Sequence, residues 1–484
     1  MKTNPAMNSF NQKYISKKSI RFYILMFLIL LLFIFKEGKS QTFDTAYARK
    51  LQTALNTLKA NNNIVGISGA VYVPGQGVWT GTAGITEVGV NLTPDMVFAA
   101  GSITKNFVAA TILQLVEADS LSLNDSIYKW LPRINNVDST TTIRQLLNHT
   151  SGIYNFTDNP AYSNAINANF NRIWEPEESF QYILSPYFVH GAGWHYSNTN
   201  YLLLAIIIKK ITGHTFGQEI HSRIYSPLQM TGSFIEITDT LTAPWVHNWV
   251  DLNGDGILDD ASFISQNSFA SSTVGAGGVI SRPENLVKYI RNLYKPGVIL
   301  SQSSINAMTT FTSASISGAN GYGLGTMRYN VQGKICWGHA GNSFGHSSVV
   351  MCYPQDTVCM SLMMNIDINT GAVANSFMNT VLSNRPLAVQ SISSEVPEKF
   401  ELHQNYPNPF NPETNIKFDI ASQGEVKLVV YNSLGKEVQN IFTGKLAAGS
   451  YSYKWNASGF PSGVYFYKLV TGNNSFIKKM MLVK

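Results

Sequence analysis

The sequence predicts an α/β (α+β) protein: one antiparallel sheet flanked by helices, with a helical insertion, and then a small C-terminal all-β sandwich. Three observations predict it. Strand-like runs stand at both ends of residues 42–384, with helices between them. Short turns rich in Gly, Pro and Asn separate those runs, as antiparallel pairing requires. From residue 400 the helical period disappears and alternating apolar and polar runs take its place.

Residues 1–40 read as an export signal. Lys13, Lys17, Lys18 and Arg21 precede a pure apolar run from Phe22 to Phe35. That run is short for a membrane span and suits a signal peptide; Gly38 and Ser40 then place a cut before Gln41. No cysteine follows the run, which argues against a lipoprotein anchor. Seven of the 35 Lys/Arg and one of the 29 Asp/Glu lie in this segment, leaving 28 of each in the rest. The mature chain is therefore near neutral, so nucleic-acid binding has no electrostatic support. No transmembrane helix is expected in it.

Thr42 to Ala60 carries Tyr47, Leu51, Ala54, Leu55 and Leu58 on one helical face. Two strands follow, Val65–Val73 and Gly77–Gly84, joined at Pro74-Gly75. Phe98 to Glu117 reads as a turn running into a helix. Residues 120–270 are mostly helices and long loops, with helices over 141–148, 176–184 and 199–212. The last of these is apolar nearly all round, and Gly213 stands where a helix ends. Ser281-Arg-Pro-Glu284 reads as a capping box opening a helix to Tyr294. Strand-like segments follow near 322–330, 333–337, 346–353 and 357–364, and a helix closes the unit at 371–383. Arg385 to Lys399 has no periodicity and reads as a linker. The tail shows runs at 414–420, 425–431, 449–455, 462–470 and 475–483.

Three segments carry candidate chemistry. Ser102 and Lys105 lie three apart at a helix start, so both fall on roughly one face. A serine hydroxyl is a weak nucleophile until a base takes its proton, and a desolvated lysine can serve. Tyr196 and Asn198 are two apart in a loop, so an extended backbone points them to one side. The phenol could hold or pass the serine proton; the amide could bind a substrate carbonyl or hold Lys105. Trp337-Gly-His339-Ala340-Gly341-Asn342 leaves a strand-like run, and its glycines suggest close backbone approach. An N–H there, with that of Ser102, would make an oxyanion hole.

In this order, S-x-x-K, Y-x-N and a K-T-G-like triplet resemble the penicillin-recognising serine hydrolases, in particular the class C β-lactamase and D-alanyl-D-alanine carboxypeptidase branch. The resemblance covers residues 42–384 and includes Leu146–Ile153, Gly193–Asn198 and Ala276–Ser281. It implies an acyl-enzyme on Ser102, with Lys105 as base partner and Tyr196 as second base and leaving-group acid. Asn198 would bind the substrate amide, and the amides of Ser102 and Asn342 would form the oxyanion hole. No cofactor is expected. Substrates would be a small peptide, a β-lactam or an ester. His339 stands where the family carries lysine, and Ala340 where it carries threonine or serine. The missing hydroxyl weakens recognition of a substrate carboxylate, so an esterase or D-aminopeptidase is equally open. A catalytically inactive surface binding protein is the rival from another class.

Gln404-Asn-Tyr-Pro-Asn-Pro-Phe-Asn-Pro412, Gly463–Lys468 and the basic end resemble a type IX secretion sorting domain over residues 400–484. That implies passage across an outer membrane, secretion machinery as a partner, and a secreted or cell-surface location. Two features stand apart. Asp251, Asn253 and Asp255 hold positions one, three and five of a calcium-loop pattern, but position twelve is Ser262; a hairpin turn needs the same residue types. Cys352 and Cys359 flank a hairpin and could be bonded across it, but three buried thiols, Cys336 included, are the favoured reading.

Overall fold

The computed structural model describes residues 43–385, 390–393, 395–458, 460–472 and 474–484. The signal-peptide reading of residues 1–40 lies outside them. Among the described residues no helix is long and apolar enough to cross a membrane.

Helix α1 (Thr45–Asn61) is capped by Asp44, whose carboxylate accepts the Tyr47 N–H at 2.6 Å. Strands β1 (Gly66–Val73), β2 (Gly77–Glu87) and β3 (Val90–Asn91) follow, and the short β4 (Phe98–Ala99) leads to helix α2 (Thr104–Glu117). The insertion continues through α3 (Asn198–Thr212), β5 (Phe234–Ile235), β6 (Val279–Ser281) and α4 (Pro283–Leu293). The chain then returns to the sheet as β7 (Gly321–Tyr322), β8 (Met327–Val331), β9 (Lys334–Ser343), β10 (His346–Tyr353) and β11 (Val358–Met364), and closes with α5 (Thr370–Asn384).

The main sheet runs β3-β2-β1-β11-β10-β9-β8-β7, antiparallel throughout. Every residue of β11 is buried, as expected of a central strand covered on both faces. Its alternate side chains divide between two cores. Met360, Leu362 and Met364 join α1 and α5 on one face, while Cys359 and Met363 join the insertion helices on the other. A second, three-stranded sheet, β4-β6-β5, ties together segments far apart in sequence. Phe98 pairs with Ser281, and Phe234 with Ile280.

The tail forms two four-stranded antiparallel sheets around Phe418, Leu428, Trp455 and Tyr467. It contains all five expected runs and one that lacks clear alternation, Glu437–Leu446. Gln390–Ser393, inside the stretch read as linker, pairs with the strand Gly449–Asn456.

Several local readings are corrected. Ser281 does not cap α4; it lies in β6, where its hydroxyl meets that of Ser233 at 2.8 Å, and Arg282 occupies the cap position without a side-chain bond. Strand β9 runs on through Ser343 instead of ending near 337, so the glycine-bearing triplet lies inside the sheet. Cys352 and Cys359 sit opposite each other in β10 and β11 and are joined as a disulfide, leaving Cys336 as the buried thiol. Asp251, Asn253 and Asp255 serve a hairpin turn. Asp251 accepts the amides of Gly254, Asp255 and Gly256, and Trp249–Val250 pairs with Asp259–Asp260. No group of three or more His, Cys, Asp or Glu among the described residues converges as a metal site.

Candidate active site

Ser102 sits in a single 3-10 turn, Gly101–Ile103, between β4 and α2. Backbone packing sets the position of that turn. Gly101 has φ of +51°, and a Cβ there would stand 2.5 Å from the Asn342 carbonyl oxygen. A Cβ on Gly341 would stand 2.1 Å from the Ala100 carbonyl oxygen and 2.8 Å from the Ser102 nitrogen. The glycines therefore let the Ser102 turn lie directly on β9, with the backbones of Ser102 and Asn342 side by side.

Lys105, in the first turn of α2, is fully buried. Its Nζ donates to Ser102 Oγ at 2.9 Å and to the Ala276 carbonyl at 2.7 Å. Burial pushes its pKa well below that of an ordinary lysine, toward the neutral amine a base requires. The expected contact with Asn198 is not what holds it; Ala276 is. The Tyr196 ring lies beside the ammonium position, its centroid 4.9 Å from Nζ, and the phenol hydrogen-bonds Ser102. Burial raises the phenol pKa, a shift the Ser102 bond only partly offsets, so Tyr196 keeps its proton at neutral pH.

Asn198 is the first residue of α3. Its Nδ2 donates to Thr157 Oγ1 at 2.9 Å, and its backbone N–H donates to Asn155. It lines the cleft in front of Ser102. His149 follows the helix Ile143–Leu147. It also accepts the Ser197 N–H at 3.2 Å, with its ring 4.4 Å from that of Tyr196. It thereby fixes the backbone next to Tyr196, a role that nothing in its local sequence signals.

His339 is not a cation facing a substrate. It is fully buried, its Nδ1–H donates to the Ala340 carbonyl at 2.5 Å, and its Nε2 accepts from the Tyr322 hydroxyl at 2.8 Å. Burial, with Lys105 nearby, pushes its pKa down to about 3. Ala340 pairs with Val349 and His339 with Val350, so the pleat turns their side chains to opposite faces. Neither they nor Gly341 line the cleft; Asn342 does, and its side chain is held by Ser347 and the Ile368 carbonyl.

Sequence reasoning missed Glu236, which lines the cleft together with Ser102. It follows β5, its N–H donates to the Gly278 carbonyl at 2.7 Å, and burial pushes its carboxyl up to about 7. A single Glu after a two-residue strand has no pattern that would single it out.

A β-lactamase family model matches residues 51–382. The chain belongs to the β-lactamase family. This hydrolase also carries a secretion-system C-terminal sorting domain over residues 404–484, of the type IX kind that marks secretion across the outer membrane. It is 31% identical to a D-stereospecific amidohydrolase from Streptomyces sp., with a TM-score of 0.59 over 66% of this chain and 94% of that one. A D-amino acid amidase from Ochrobactrum anthropi SV3, complexed with D-phenylalanine, shares the fold at 23% identity and a TM-score of 0.63, over 70% of this chain and all of that one. Penicillin-binding protein 4* of Bacillus subtilis is 27% identical over 277 residues, or 54% of this chain and 59% of that relative's length. Penicillin-binding protein 4 of Amycolatopsis lactamdurans is 26% identical over 74% of this chain and 93% of its own. Members of this family are serine hydrolases, and so is this chain.

Proposed function

We propose that the protein hydrolyses amides or esters through an acyl-enzyme on Ser102. The observation that carries this reading is the contact of a buried lysine, its pKa lowered by that burial, with the serine hydroxyl at 2.9 Å. Lys105 takes the Ser102 proton as Oγ attacks the substrate carbonyl. The amides of Ser102 and Asn342 hold the oxyanion. Tyr196 delivers a proton to the leaving nitrogen or oxygen and is resupplied from Lys105. Water then attacks the acyl-enzyme, its proton passes back through the same groups, and Ser102 Oγ leaves protonated. The sum is one water consumed, with one acid and one amine or alcohol released.

An amidase or esterase is favoured over a carboxypeptidase or β-lactamase. Among the described residues no Lys, Arg or His lines the cleft, and His339 is buried and neutral. A substrate carboxylate thus has no cation to meet there. The amidohydrolase and amidase likenesses point toward D-amino-acid amides. Residues 41–384 form the hydrolase unit and 400–484 the sorting domain, to whose sheet Gln390–Ser393 adds a strand. Residues 1–40 direct passage through the inner membrane.

A fluorophosphonate probe should label the purified chain, and Ser102→Ala should abolish the labelling. Absence of both labelling and p-nitrophenyl acetate hydrolysis in the wild type sinks the reading.

A further inference from the structure

We infer that Glu236 receives a free α-ammonium group on the acyl side of the substrate, so that the substrates are amino-acid amides, or peptides cleaved after an unblocked N-terminal residue. This rests on Ser102 being the acylated residue.

The small sheet places Glu236. β4 and β5 both run antiparallel to β6, so they are parallel to each other and end on the same side. Ala99 and Phe234 share the row of Ile280. Beyond that row the Ala100 N–H donates to the Val279 carbonyl and the Glu236 N–H to the Gly278 carbonyl, and the Gly101–Ile103 turn that carries Ser102 follows Ala100 directly. Two strand spacings separate the β4 and β5 backbones by about 10 Å. Ser102 and Glu236 both line the cleft that this arrangement frames.

The chemistry of the wall agrees. The Glu236 carboxylate has no hydrogen-bond partner among the described residues, and burial alone acts on it. Glu236 is part-buried and open to the cleft it lines, where a cation would offset the water its carboxylate loses. No lysine, arginine or histidine of the cleft lining does so, and a substrate ammonium would. Glu236 and Ser343 also border an adjoining cavity of mixed lining, where Leu241, Trp245, Ile264 and Phe344 stand beside Asp239, Asn248, Gln266 and His346. That cavity offers a place for the side chain of the same substrate residue.

The test compares D-phenylalanine amide with N-acetyl-D-phenylalanine amide on the full chain, reading ammonia release. The wild type should prefer the free amine by about tenfold or more in kcat/KM, as expected for a charge-assisted bond. Glu236→Gln should reduce that preference by about the same factor, mainly through KM. Glu236→Asp keeps the charge and should retain most of the preference, which guards against a folding artefact. A wild type without the preference, or a Glu236→Gln variant that slows both substrates equally, overturns the inference; the second outcome would make Glu236 a base for the attacking water. Calorimetry on Ser102→Ala protein reads recognition without turnover. D-phenylalanine amide should bind, and adding Glu236→Gln should weaken binding by about tenfold. Binding of that kind without probe labelling of the wild type would fail the acyl-enzyme reading alone. Labelling without any preference would fail the ammonium assignment alone.

Discussion

Lys105 beneath the cleft and Glu236 in its wall are both driven toward their neutral forms by burial, yet their surroundings differ. Lys105 has two acceptors, Ser102 Oγ and the Ala276 carbonyl, so its neutral amine is already aimed at the reacting oxygen. Glu236 has a fixed backbone but, among the described residues, no partner for its carboxylate. A paired group under desolvation suits chemistry; an unpaired one facing a cleft suits the capture of an opposite charge.

The comparison breaks most visibly at Lys105. Lys105→Met should lower kcat for p-nitrophenyl acetate by about 10³–10⁴-fold, measured with the probe-labelling rate alongside. In the wild type that rate should rise with pH through the lowered lysine pKa and level off below the usual lysine range. Tyr196→Phe should cost about 10²-fold on an amide and less on p-nitrophenyl acetate, whose leaving group departs without a proton. Equal losses on both would remove the donor role from Tyr196.

Stability sharpens the contrast because the two groups have opposite linkage. The folded pKa of Glu236 lies above its unfolded value, so the native state is penalised as pH rises from the ordinary carboxyl range through about 7. Glu236→Gln should therefore stabilise the fold by about 3 kcal/mol at pH 8 and by almost nothing near pH 4, read from thermal midpoints. The folded pKa of Lys105 lies below its unfolded value, so its penalty appears as pH falls below the ordinary lysine range. Lys105→Met should stabilise more at pH 6 than at pH 10. The smallest effect is expected at His339. Already neutral, it should change kcat less than about tenfold as His339→Gln and leave the pH profile between 5 and 8 unmoved.

The candidate catalytic group was legible because its members lie close together in the chain or at a loop–helix junction: three residues from Ser102 to Lys105, and Tyr196 just before α3. The strands at both ends were legible from alternation and turns. Other features depend on pairing between distant segments. Ser281 looks like a cap until β6 is seen between β4 and β5. His339 looks like a substrate-facing cation until β9 continues and buries it against Tyr322. Glu236 has no local signal, since its place depends on the β5–β6 register and the Gly278 carbonyl. Glu437–Leu446 was missed because it lacks clean alternation, and its pairing with Gly424–Asn432 shifts register twice.

The contact of Gly101 and Gly341 with the opposing backbone also bears on how this protein could change. Because main chain seats the nucleophile turn on the sheet, most side-chain replacements in the 234–278 wall leave that seat intact. A mutational library should thus find the two glycines intolerant of any substitution and the side chain at Glu236 exchangeable. New substrate preferences would then arise by exchange at Glu236 and its neighbours while the hydrolytic step is inherited unchanged.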